Sequence, residues 1–80
     1  MPHITVKMYP GRGKELKQRV SDELTKALVN ALVIPETAVS VSIQDVEKEK
    51  WDETVVQTEI GRNPECVFKK PGENLKGKKA

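Results

Sequence analysis

Apolar and polar side chains alternate from His3 to Met8, with Ile4, Val6 and Met8 on one side and His3, Thr5 and Lys7 on the other. A period of two with β-branched residues predicts a strand. Tyr9-Pro10-Gly11-Arg12-Gly13 ends it, because adjacent Pro and Gly mark a turn. The period then changes. Leu16, Val20, Leu24, Ala27, Leu28, Ala31 and Leu32 recur at helical spacing, which predicts an amphipathic helix over 14–32. Lys14, Lys17, Gln18, Arg19, Asp22, Glu23 and Lys26 cover its other faces, and Pro35 stops it shortly after Val33. Over 38–46 the period returns to two. Val39, Val41 and Ile43 alternate with Ser40, Ser42 and Gln44, a second strand with one apolar and one small polar face.

Strand, long helix, strand is a β-α-β unit with parallel strands and a right-handed crossover. The fold class is therefore α/β (α+β). Two strands and one helix cannot enclose a core, so the sheet must be completed by oligomerisation. Downstream, Trp51, Val55, Val56, Glu59 and Ile60 suit a short helix, and the mixed charges from Asp45 to Glu53 suit a solvated segment. Asn63-Pro64 reads as the N-cap and first residue of a second short helix through Val67, Phe68 and Lys69, which Pro71-Gly72 ends. Residues 1–72 form one domain, and 73–80 form a basic, flexible tail.

The chain has 80 residues, one Cys and one His. Cys66 cannot close an intrachain disulfide, and with His3 it offers no metal-ligand set. Neither prop of small domains is available, which again points to partner subunits. No apolar run reaches the ~20 residues that span a bilayer. The start of the chain is not a signal peptide, and a single free Cys suits a cytoplasmic home. From Lys69 onward five Lys stand against one Glu, so the net charge of +2 comes from the tail. With one Trp, one Tyr and one Phe there is no interleaving of basic and aromatic residues, and nucleic acid is not expected as a partner.

Few residues suggest chemistry. Gly11-Arg12-Gly13-Lys14 lacks the spacing of a nucleotide phosphate loop, yet Arg12 in a strand-to-helix corner suits a small carboxylate. His3 reads as an exposed or hydrogen-bonded histidine and Cys66 as a small buried hydrophobe. Trp51 is either a core or interface anchor or a pocket wall. Pro2 follows the initiator Met. Trimming of Met1 would expose a secondary amine at the start of a strand. An α-amino group has a reference pKa near ~8. Burial or a nearby cation lowers it toward neutrality, where a general base works best.

Pro2-His3-Ile4-Thr5-Val6-Lys7, then Pro10-Gly11-Arg12, the long amphipathic helix and Val39-Ser40-Val41-Ser42-Ile43 resemble the 4-oxalocrotonate tautomerase family over roughly residues 2–60. Lys69-Lys70-Pro71-Gly72 and the extra length resemble its dimeric branch, whose shorter relatives are hexamers. The resemblance implies a cofactor-independent isomerase that shifts a proton in small enolised 2-keto acids and works as a homodimer, with a hexamer as the alternative assembly. Pro2 matches the family's general base and acid. Arg12 matches its carboxylate-binding arginine, and Trp51 its aromatic pocket residue. Ser40 departs from the pattern, standing where the family has a second arginine. A serine cannot pair with a carboxylate as Arg does, which disfavours dicarboxylate substrates. No metal or cofactor is implied. The alternative is a non-catalytic dimeric scaffold of the same fold, which a retained Met1 would favour.

Overall fold

His3–Met8 form strand β1 and Ser40–Asp45 form strand β2 of a parallel pair, in a computed structural model that describes residues 1–75. Helix α1, Lys14–Leu32, joins them, so the β-α-β unit and the α+β class are as the two periods predict. His3 pairs with Ser40 and Met8 with Asp45, so the polar parities of both strands share one face. The hydroxyls and His3 lie there. Val41 and Ile43 are turned the other way, where they line a hollow with Lys17, Gln18 and Ser21 of α1. The second strand is shorter than expected, because Glu36–Ala38 form a 3₁₀ turn closed by the Val39 N–H on the Glu36 carbonyl at 3.1 Å.

The apolar stripe of α1 is only partly used. Val20, Leu24 and Leu28 are half-buried, whereas Leu16 and Leu32 remain 45% and 53% exposed. Half-burial of each of the first three contributes roughly 1 kcal/mol. At the helix start, Lys17 Nζ reaches Asp45 Oδ1 at the end of β2, 2.9 Å away. The helix ends as Pro35 requires, but on a residue poorly suited to the task. Val33 adopts φ 56°, ψ 59°, and the Val29 carbonyl accepts from both Val33 N–H (2.9 Å) and Ile34 N–H (3.4 Å). This left-handed cap normally falls to Gly, since a Cβ there costs about 1–2 kcal/mol. Gly11, at φ 124°, sits where the turn after β1 needs a residue without a side chain.

The chain divides into two compact units, Met1–Glu47 and the residues from Lys48 on. In the second, Asp52–Gly61 is a helix with π-type hydrogen bonding rather than an ordinary α-helix. Within it Gln57 Nε2 donates to Asp52 Oδ2, and the Thr58 hydroxyl donates back to the Thr54 carbonyl. Thr54, Val55, Val56 and Thr58 crowd an α-helical turn, and this composition gives little α preference to overcome. The next helix is much shorter than expected. Only Pro64–Cys66 form a 3₁₀ turn, with Pro64 in its first position and no side-chain bond from Asn63. Phe68 is therefore 94% exposed. Cys66 is exposed too, which corrects its reading as a buried hydrophobe: one turn of helix leaves it uncovered. The basic tail expected from residue 73 lies, from Lys76 onward, outside the described residues.

Among the described residues only Val46 and Val55 are buried, at 9% and 8% exposure, and no side chain is fully enclosed. An 80-residue chain in this state has little apolar burial to set against its ordering entropy. No described helix is long and apolar enough to cross a membrane.

Candidate active site

Pro2 is half-buried at the head of β1, and its carbonyl accepts the Ser40 N–H at 3.1 Å. The Met1 ammonium donates to the Ala38 carbonyl at 2.7 Å. The start of the chain is thus laced across the start of β2, because the parallel register sets His3 opposite Ser40. Any group placed on Pro2 nitrogen is positioned by this ladder rather than by a free terminus.

Ser40 faces His3 directly. Its Oγ is 2.6 Å from His3 Nδ1, and Ser42 Oγ is 3.3 Å from His3 Nε2. The Ser42 and Thr5 hydroxyls are 3.4 Å apart. His3 is therefore an exposed, hydrogen-bonded histidine, with one hydroxyl at each ring nitrogen. The sequence shows Ser40 and Ser42 as a small polar face, but it does not show that His3 stands between them. The signal was available only in part: His3, Ser40 and Ser42 share a strand parity, while the register that joins them is a property of the folded pair.

Arg12 lies at the other end of β1, exposed in the loop between Gly11 and Gly13, and makes no ion pair among the described residues. Gly13 starts α1 without a side-chain cap, and its carbonyl accepts the Lys17 N–H at 3.1 Å. The six residues of β1 separate Pro2 from Arg12. At the rise of an extended strand that is roughly 20 Å. Within the first unit, then, the fold brings Pro2 and Ser40 together and holds Arg12 apart from both. Trp51 belongs to the second unit, where it is half-buried just ahead of the Asp52–Gly61 helix. Among the described residues no group of three His, Cys, Asp or Glu side chains is placed to hold a metal ion.

Comparison with known proteins gives one consistent picture. A family model described as "Tautomerase enzyme" matches residues 2–53, starting at Pro2 and ending just past Trp51. The chain is 38% identical over 73 residues to tautomerase PptA of Cronobacter sakazakii, covering 90% of this chain and 96% of that one. It is 41% identical over 63 residues to 2-hydroxymuconate tautomerase of Comamonas testosteroni, covering 78% of this chain and all of the relative. Among solved structures it is similar to one from a study of the 4-oxalocrotonate tautomerase isozymes of Methylibium petroleiphilum. That match has a TM-score of 0.59 at 36% identity and covers 62% of this chain and 81% of the other.

Proposed function

Because the chain belongs to the tautomerase family and is an isomerase, we propose that it catalyses keto–enol 1,3-proton transfer in small enolised 2-keto acids, with the Pro2 amine as base and acid once Met1 is removed. The observation that carries this reading is the placement of Pro2. The family match begins on it, and it heads β1 with its carbonyl tied to Ser40. The freed amine is secondary, and its ring fixes the direction of the lone pair.

The proton shift balances without any co-reactant. The neutral amine takes the substrate's hydroxyl proton, breaking O–H and forming N–H. Electron density moves through the conjugated system, and the prolinium returns a proton to carbon. Arg12 binds the carboxylate. Pro2 and Arg12 of one chain lie too far apart for one small substrate, so the Arg12 that serves a given Pro2 comes from a neighbouring copy. A homodimer is the smallest assembly with a complete site.

The test begins with intact mass. Loss of the Met1 residue leaves a free Pro2 amine, and such protein should tautomerise an aromatic enol-pyruvate. Pro2→Ala should then keep the circular dichroism spectrum and lose about 100-fold or more in kcat, the usual worth of a positioned acid–base group. Unchanged turnover would remove Pro2 from the mechanism. With Met1 retained, Pro2 nitrogen is an amide without a basic lone pair, and the preparation should be inert until trimmed.

A further inference from the structure

Phe68, in the second unit, is 94% exposed. An aromatic ring left in water forgoes the largest apolar burial a short chain can make. Lys69 and Lys70 follow it, both exposed and without an ion pair among the described residues. The segment presents an apolar anchor and then two cations.

The first unit carries a groove with the complementary order. It lies between α1 and the residues that follow the helix. Val29, Asn30, Val33, Ile34 and Pro35 line a hollow of about 360 Å³. A second hollow, of about 400 Å³, is lined by Asp22, Thr25, Lys26, Glu36 and Thr37. Positions 22, 26, 29 and 33 share one helical face, so the two hollows run end to end. In the first, half-buried Val29 and Ile34 form an apolar floor with Pro35. Val33, 89% exposed, adds little to its wall. In the second, Lys26 turns to Glu23 at 3.4 Å, and Asp22 accepts from Gln18 Nε2 at 3.0 Å. Glu36 has no ion pair among the described residues. The groove is therefore apolar at one end and acidic at the other.

We propose that Phe68 of one copy seats in the Val29, Ile34 and Pro35 hollow of a second copy, with Lys69 and Lys70 against its Glu36 and Asp22. Phe68 does not fill the groove of its own chain, because its ring is almost wholly exposed. The dimensions agree. A hollow above about 300 Å³ accepts a small ring. Asp22 precedes Val29 by seven helical residues, about 10 Å along α1. Two residues of chain advance up to about 7 Å, and the lysine stem covers the remainder. Long-range charge acts in the same direction. Residues 69–80 hold five Lys and one Glu, so with +2 overall the rest of the chain is net acidic and attracts that segment of another copy. Exchanged in both directions, the contact closes with two copies and leaves neither groove open. It also gives a cover to a chain whose described residues bury only Val46 and Val55. The surface takes no part in the Pro2 chemistry and does not depend on it.

Cys66 is the chain's one thiol, is exposed, and lies two residues from Phe68. Equal amounts of ¹⁵N-labelled and unlabelled chains are refolded together, labelled at Cys66 with benzophenone maleimide and illuminated. Mass spectrometry should find mixed-isotope cross-links from residue 66 to residues 22–37. Cross-links within one copy only, or between copies but elsewhere, would overturn the proposal. The dimer dissociation constant of unlabelled protein is then measured by sedimentation at falling concentration. Phe68→Ala should raise it about 10-fold or more, as removal of an aromatic anchor does, and Phe68→Leu should raise it less. The circular dichroism spectrum should not change, because the ring touches little of its own chain. Glu36→Lys should raise the constant about threefold, and less so in high salt. Adding Lys69→Glu and Lys70→Glu to Glu36→Lys should recover it. A monomer at every concentration, an unchanged constant in Phe68→Ala, or no recovery on charge reversal would each remove the contact. None of these readouts involves turnover, so the contact stands or falls apart from the Pro2 mechanism.

Discussion

The two ends of the β1–α1–β2 unit are built differently. At the Pro2 end, backbone and side chains interlock: Ser40 N–H on the Pro2 carbonyl, the Met1 ammonium on Ala38, and His3 between two serines. Helix α1 also ends here, on the strained Val33 cap. At the Arg12 end the Val46 N–H closes the ladder on the Met8 carbonyl at 2.8 Å, and the loop beyond β1 is exposed. Gly11 and Gly13 flank an exposed Arg12, α1 starts without a side-chain cap, and one ion pair joins Lys17 to Asp45. On the proposed mechanism the two ends have different work. Pro2, the proposed proton-transfer group, needs fixed geometry and sits where side chains and backbone interlock. Arg12, proposed to reach toward another chain, needs length and exposure, and it is exposed.

The largest test of that division mixes variants. Pro2→Ala and Arg12→Ala each lack one half of the proposed composite site. Unfolding and refolding them together at equal amounts should restore roughly a quarter of the wild-type sites, as random pairing in a dimer requires. No recovery would mean that both residues act within one chain. Arg12→Ala alone should raise KM about 10-fold or more with kcat little changed, since it removes a charge-assisted contact worth about 1.5–3 kcal/mol. A selective fall in kcat would instead place Arg12 on the charge that develops during transfer.

Smaller effects probe the scaffold at each end. Val33→Gly should raise stability by about 1 kcal/mol in urea unfolding, because it relieves a left-handed β-branched residue that is 89% exposed. A loss of stability would show that the Val33 side chain is covered in the assembly. Lys17→Met keeps the aliphatic stem and removes the charge. With Asp45 39% exposed, the expected cost is only about 0.5 kcal/mol, shrinking further in high salt. A larger cost would make the Arg12 end tighter than its contacts suggest.

Legibility differs just as sharply along the chain. β1 and α1 match the period arguments at both boundaries, whereas β2 starts two residues later than expected, after the Glu36–Ala38 turn, and ends one residue earlier. Past Lys48 the match weakens. Trp51, Val55 and Ile60 do mark a helix, but its π-type winding follows from crowding among β-branched residues that a count of apolar positions does not register. Asn63-Pro64 marks a turn that does not propagate, which left Cys66 and Phe68 exposed. In the site, Pro2 and Arg12 are singled out by residue type and resemblance, and Ser40 by the arginine it replaces. The hydroxyl pair around His3 is different, because nothing local ties residue 3 to residues 40 and 42.

Periodicity is a local property, so the sequence by itself determined the order strand, helix, strand, the parallel pairing that a long crossover demands, and the face of each strand that is apolar. Register is not local. Tertiary structure alone decided that His3 meets Ser40 across a sequence separation of 37, and that Pro2 and Arg12 stand at opposite ends of one strand. The physical reason is that a one-residue slip would leave every local preference intact while turning the polar parity of one strand away from its partner. Only the packing of α1 on Val41 and Ile43, together with the ladder across the two strands, excludes that slip.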